Sequence, residues 1–162
     1  MILLTALQWL RAQIFFNMGR VDKGIWRSRQ GFLMYVVWPL FQFRTVINLS
    51  HKPHSDPQDK FEEWLCRVMR ITYITYPTIG FDEAEDIGRR LIANGYERPV
   101  LCHCEGGRDR TGGVVGVYKW LAGFSLQNIE RDWKIFGRPY QHWIDSLYQF
   151  FDDNPRGERG KR

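Results

Sequence analysis

Apolar positions recur along the chain in two rhythms, one helical and one extended. Leu3, Leu4, Leu7, Leu10 and Ile14 fall three and four apart, which predicts an amphipathic helix over residues 2–17. Short β-prone segments follow around Val21 and at Ile25–Arg27. Gln30–Leu40 is apolar and reads as helical until Pro39 halts it. Arg44–Leu49 is β-branched and suits a buried strand, and Ser50–Pro57 is a polar loop full of breakers. Lys60–Arg70 carries Phe61, Trp64, Leu65 and Val68 at helical spacing, which predicts a helix packed by that face. Ile71–Tyr76 is a strand ended by Pro77, and Phe81–Asn94 is a helix closed by Gly95. Pro99–His103 is a further strand, and Gly112–Leu121 reads as a buried helix despite its glycines. Ser125 is a natural N-cap for a helix reaching Phe136, and Pro139–Phe151 forms the last helix.

Strands alternating with helices predict an α/β fold, a central and mostly parallel sheet flanked by helices. At 162 residues the chain suits a single domain over residues 1–153, with helix 1–18 packed on it. The basic stretch 154–162 reads as a disordered tail. Seven Trp, seven Tyr and eleven Phe supply a packed interior. A net charge of +5 favours anionic partners: phosphorylated substrates, nucleic acid or an acidic membrane surface. Three cysteines, Cys66, Cys102 and Cys104, make no even disulfide framework, which implies a reducing compartment and a cytoplasmic location. Arg11 and Gln13 interrupt the leading apolar run too early for a membrane span. The run also lacks the basic start and cleavage site of a secretory signal. A helix packed on the domain is the expectation there, with an interfacial anchor as the alternative.

The chemistry concentrates between residues 103 and 111, in His103-Cys104-Glu105-Gly106-Gly107-Arg108-Asp109-Arg110-Thr111. A β-prone run leads in and a helix leads out, so a glycine-rich loop joins strand to helix N-terminus. Such a loop turns backbone N–H groups inward, and the helix end adds partial positive charge. The same surroundings favour thiolate over thiol and grip a phosphate, so one loop can supply nucleophile and binding site together. Two plainer readings exist. Cys104 can be a small buried residue before a loop. Cys102, His103 and Cys104 can be metal ligands, but tetrahedral zinc wants four, and the nearest other pair is His51 with His54 in the polar loop. No cofactor and no metal is expected.

Cys104 through Arg110, with His103, Thr111 and Gly112, resembles the C-x5-R loop of the cysteine-dependent protein tyrosine phosphatase superfamily. A second resemblance lies upstream. Gly19–Ser28 and Thr45–Leu49 look like the opening of small atypical dual-specificity phosphatases, so the likeness spans residues 19–150. It implies the fold of that superfamily and a phosphocysteine intermediate formed on Cys104. It implies that Arg110 clamps two phosphoryl oxygens, a geometry lysine cannot match. Thr111 corresponds to the hydroxyl that bonds the departing sulfur, and His103 to a residue orienting the loop from behind. Glu105, Gly106, Gly107, Arg108, Asp109 and Arg110 would line the phosphate.

The general acid is less plain. Relatives carry an aspartate on a separate loop well before the nucleophile, yet Ile71–Tyr76 contains no carboxylate. Asp82, 22 residues before Cys104, is one choice, and it equally suits a helix first turn, where it complements the macrodipole. Asp109 is the other and is favoured, because Asp-Arg-Thr at this place resembles the myotubularin-type lipid phosphatases. Arg108 resembles the loop cation of phosphoinositide phosphatases, or is simply exposed. Glu105 and Gly106 depart from the usual lysine or small residue and alanine. Cys66 is a redox partner for Cys104 or, as preferred, a buried cysteine. Substrates implied are phosphoproteins, phosphoinositides and inositol polyphosphates. The rivals are a phosphate-binding module without turnover and an RNA 5′-phosphatase.

Overall fold

A computed structural model describes residues 17–50, 56–77 and 79–155. Five strands, β1 (Gly19–Asp22), β2 (Ile25–Arg29), β3 (Thr45–Asn48), β4 (Thr72–Thr75) and β5 (Val100–Cys104), form one sheet in the order β1-β2-β5-β3-β4. β1 runs antiparallel to β2, and every other pairing is parallel. β5, which ends on Cys104, is therefore central, where both its edges are hydrogen-bonded. The helices are α1 (Phe32–Phe41), α2 (Pro57–Met69), α3 (Phe81–Ile92), α4 (Asp109–Leu121), α5 (Leu126–Phe136) and α6 (Gln141–Asp153). This is the expected α/β architecture.

Strand alternation sorts the core into two faces. Ile25, Ile47, Val100, Cys102 and Cys104 face α3, α4 and α6, packing on Ala84, Ile87, Leu91, Val114 and Trp143. Val46 and Leu101 face α1 and α2, packing on Met34, Tyr35, Trp38 and Cys66. A third cluster of Val117, Ile129, Trp133, Ile144, Leu147 and Phe150 joins α5 and α6 to the outer side of α4. The glycines of α4 explain its place at the centre. A Cβ on Gly113 would lie 2.6 Å from the Trp143 ring, and one on Gly116 would lie 2.7 Å from Leu147, so their absence lets α6 approach.

Four local expectations need correcting. Pro39 lies inside α1, which continues to Phe41 and ends at left-handed Gln42, whose N–H reaches the Trp38 carbonyl at 3.2 Å. Burial of Trp38 outweighs the one hydrogen bond that a late proline removes. Helix α2 starts at Pro57, capped by the Asp56 carboxylate on Gln58 N–H at 2.9 Å, before the predicted Lys60. It also packs by a different face. Phe61, Trp64 and Val68 are exposed, while Asp59, Glu62 and Cys66 are buried. The left-handed residue after α3 is Asn94 rather than Gly95, whose N–H bonds the Arg90 carbonyl. Ser125, by contrast, caps α5 as expected, accepting from Asn128 N–H.

The predicted helix over 2–17 lies outside the described residues except at its last position, as do residues 156–162 of the tail and the pair His51 and His54. Among the described residues no helix is long and apolar enough to cross a membrane.

Candidate active site

β5 ends on Cys104, which is 4% exposed, and α4 begins at Asp109, so Glu105–Arg108 make the turn between them. Gly107 is the pivot. Its φ of +64° is left-handed, and a Cβ there would lie 2.6 Å from both the Ser28 carbonyl oxygen and the Arg29 nitrogen. The Cys104 carbonyl accepts from Gly107 N–H at 3.2 Å and from Gln30 N–H at 2.8 Å, which tightens the turn and ties it to the end of β2. Glu105 and Gly106 are exposed at its rim.

Two guanidinium groups hold the loop. Arg110, half-buried in the first turn of α4, donates from Nη1 to the Leu49 carbonyl at 3.1 Å. Arg27 is buried and was not among the sequence-based candidates. It faces the Cys102 side of the sheet, donates from Nη2 to the Gly107 carbonyl at 2.6 Å and lies 4.5 Å over the Phe136 ring. Burial pulls its pKa below the usual arginine value, and Asp132, Cys104 and Cys102 oppose that pull. Thr111 is fully buried, and its hydroxyl has no hydrogen-bond partner among the described residues.

The two candidate acids sit differently. Asp109 Oδ1 accepts from the Tyr140 N–H at 2.7 Å, the residue that opens α6. Its Oδ2 receives Arg108 Nε and Nη2 only at 3.4 Å, the long end for such a bond. The Arg108 guanidinium lies 4.6 Å over the Tyr140 ring, so this cation is partly occupied at home. Asp82 is exposed in the first turn of α3, where Glu83 caps Gly80 N–H at 2.9 Å.

Behind the loop, on the α1/α2 side, is a buried polar cluster that sequence reasoning missed. His103 Nε2 meets Glu62 Oε1 at 2.5 Å with both side chains fully buried, and His103 Nδ1 has no partner among the described residues. Glu62 Oε2 accepts from Tyr35 Oη at 2.8 Å and from Gln30 Nε2 at 3.2 Å. Gln30 Nε2 also reaches Asp59 Oδ1 at 2.6 Å, and Asn48 Nδ2 reaches the same oxygen at 3.1 Å. Burial, then the Glu62 carboxylate, pushes the Tyr35 and Tyr73 phenols and the Cys66 thiol up. The available signal was the pair of acids three apart in α2, on the side away from its aromatic residues.

The strand pleat also decides the cysteine and metal readings. Cys102 and Cys104 point to one face and His103 to the other, so the three cannot converge on one ion. Cys66 lies in the α1/α2 cluster with the sheet between it and Cys104, which leaves it a buried structural thiol. A groove of about 630 Å³ beside β1, lined by Met18, Trp26, Phe41, Lys119, Arg131 and Phe136, contains none of the loop residues.

A buried thiol thus closes β5, a left-handed glycine pivots the turn, and an arginine stands in the first turn of the following helix. Residues 26–154 match the tyrosine phosphatase family, and the chain belongs to that family. Inositol diphosphatase SIW14 of Saccharomyces cerevisiae is 29% identical over 65 residues, covering 40% of this chain and 23% of that protein. The chain thus matches about a quarter of that relative's length. The core catalytic domain of the S. cerevisiae PP-IP phosphatase SIW14 in complex with citrate superposes with a TM-score of 0.62 at 19% identity, over 85% of this chain and 92% of that one. P. aeruginosa TpbA in complex with pTyr gives 0.61 at 22% identity, over 83% and 82%. Human DUSP28 gives 0.57 at 14%, over 86% and 95%. At these identities the superpositions establish the fold.

Proposed function

We propose that the protein hydrolyses phosphomonoesters through a phosphocysteine intermediate on Cys104. The sulfur attacks phosphorus in line, the P–O bond to the leaving group breaks, and a proton passes to the departing oxygen. Water then attacks phosphorus, the S–P bond breaks, and inorganic phosphate leaves. Arg110 clamps two equatorial oxygens, and its anchor on the Leu49 carbonyl supports that orientation. Thr111 bonds the departing sulfur in the second step; its buried, unpartnered hydroxyl supports the role. Glu105, Gly106, Gly107 and Arg108 complete the phosphate-binding turn, and His103 orients it from behind.

Asp109 is the proton donor of this proposal. Tyr140 fixes one of its oxygens, and the long contact to Arg108 leaves the other available to carry the proton. Asp82 complements the α3 dipole instead. The observation that carries the proposal is the placement of Cys104 at the end of β5 and Arg110 in the first turn of α4, on either side of a turn whose left-handed, crowded position 107 requires glycine. Cys104→Ser should abolish hydrolysis of a small aryl phosphate, with no effect of a chelator on the wild type. Asp109→Asn should cost ~10²–10³-fold on a poor leaving group and little on a good one. Full activity of that variant on the poor leaving group, with loss in Asp82→Asn, would transfer the role to Asp82.

For substrate, the reading is an inositol phosphate of high charge. The resemblance to an inositol diphosphatase, the net charge of +5 and the loop cation Arg108 support it. A panel of inositol pyrophosphate, phosphoinositide, phosphotyrosine peptide and 5′-phosphorylated RNA, compared by kcat/KM, tests it. Preference for the peptide, as the pTyr complex of TpbA would favour, refutes the inositol reading. Preference for RNA ends refutes it too. Absence of turnover on every arm and on aryl phosphate would leave a phosphate-binding module.

A further inference from the structure

The α2 helix faces the core with two carboxylates where an amphipathic helix would ordinarily present leucines. Asp59 and Glu62 are buried, while Phe61, Trp64 and Val68 on the same helix are turned to solvent. Burying carboxylates is costly unless each is fully hydrogen-bonded, and replacing such groups with apolar ones commonly leaves a domain as stable or more so. Stability alone therefore does not account for them.

Their bonds lead to the two groups that hold the phosphate. From Glu62 the path runs to His103, the residue before Cys104, and to Gln30, whose own backbone N–H clamps the Cys104 carbonyl at 2.8 Å. From Asp59 it runs to Asn48, whose Oδ1 accepts from Ser50 N–H at 2.7 Å. That bond sets the turn carrying the Leu49 carbonyl, on which Arg110 rests, while Leu49 N–H returns to the His103 carbonyl at 2.7 Å. Gln30 Nε2 bridges the two acids at 2.6 and 3.2 Å.

We infer that Asp59 and Glu62 are paired positioning residues, Glu62 setting the nucleophile strand through His103 and Gln30, and Asp59 setting Arg110 through Asn48, Ser50 and Leu49. Neither touches substrate. The inference rests on the proposed roles of Cys104 and Arg110 and adds two separable inputs to them. Gln30 and the Leu49–His103 bond couple the two paths, but of the two acids only Glu62 bonds His103 and only Asp59 bonds Asn48, so the two acids leave different kinetic marks. Glu62 governs the rate of attack, and Asp59 governs the grip on oxyanion.

Isosteric variants test this on the full chain. Glu62→Gln should lower kcat on aryl phosphate ~10²-fold, the scale of a misplacement of about 1 Å, with KM and tungstate affinity within about threefold. Asp59→Asn should weaken tungstate binding and raise KM ~10-fold, the scale of one lost hydrogen-bond contact, with kcat changed less. Should either acid variant fail to fold, Asn48→Ala leaves both acids in place and cuts the path to Arg110 together with the Asn48 bond to the Tyr73 hydroxyl at 2.9 Å, so it should reproduce the Asp59 pattern, with Tyr73→Phe as the control for the second bond. Melting temperatures are recorded alongside. Lowered melting temperature with unchanged kcat and KM per folded molecule overturns the inference, as does an identical kinetic pattern in the two acid variants. Calorimetric tungstate binding needs no turnover, so the grip arm stays readable even if Cys104→Ser shows the phosphocysteine route to be wrong.

Discussion

The two faces of β5 are equally buried, and at its Cys104 end they are built on opposite principles. Toward α3 and α4, Val100 and Cys102 meet Ile87, Leu91 and Val114 in contacts without direction. Toward α2, His103 bonds Glu62, and Gln30 joins Glu62 to Asp59, through bonds whose partners and angles are fixed. The apolar face tolerates small shifts of position because dispersion and hydrophobic burial fall off gradually. The polar face does not, since a displaced hydrogen bond leaves a buried charge exposed to a low dielectric. One strand thus takes its stability from one side and its alignment from the other. Arg27 is the exception on the apolar face. It brings a buried charge to the Gly107 carbonyl from the side where dispersion otherwise rules.

The contrast predicts which property fails when each region is altered. The largest effect should come from Leu91→Ala in the apolar core, a loss of about 2–5 kcal/mol in denaturant unfolding with kcat of the folded fraction unchanged. A fall in kcat there would erase the distinction between the faces. Next is Gly107→Ala, which meets Ser28 and Arg29 backbone and a left-handed φ; aryl phosphate hydrolysis should drop ~10²-fold.

A smaller effect comes from Tyr118, whose hydroxyl donates to Asp22 Oδ2 at 2.7 Å. Burial and then the Asp22 bond push this phenol up to about 12. A phenol whose folded pKa is raised contributes stability that is intact below pH ~10, its unfolded value, and is lost as pH climbs toward 12. Burial pushes Asp22 up, but Tyr118, the Lys23 amide, Arg98 and Arg20 together hold its carboxyl below the usual value. Its contribution is present above the ordinary carboxylate pKa and fades as pH falls below it. Tyr118→Phe should cost ~1 kcal/mol at neutral pH and flatten both the alkaline and the acid loss in pH-dependent melting. Smallest is Trp64→Ala. At 53% exposure it should change stability by no more than about 0.5 kcal/mol, where a core-facing tryptophan would cost several times that.

Legibility divided along the same line. Ser125 could be read as an N-cap because its bond to Asn128 is made within three residues. The strand-loop-helix around Cys104 could be read because a β-prone run, glycines and Arg110 stand together within residues 99–110. The packed face of α2 could not. Its aromatic spacing pointed one way, and the polar groups that turned it the other way, His103, Gln30 and Asn48, come from three different segments. Arg27 was hidden for the same reason, since its partner Gly107 lies 80 positions away.

Composition and local spacing by themselves determined the α/β class, most element positions and the cradle carrying Cys104 and Arg110, because each depends on backbone preferences and patterns within about ten residues. Only the tertiary structure decided which side of α2 is inside, which acids stand behind the loop and which second arginine holds it. Those choices are made by charges whose cost is offset only when distant segments meet, and no stretch of the chain contains both halves of such a bond.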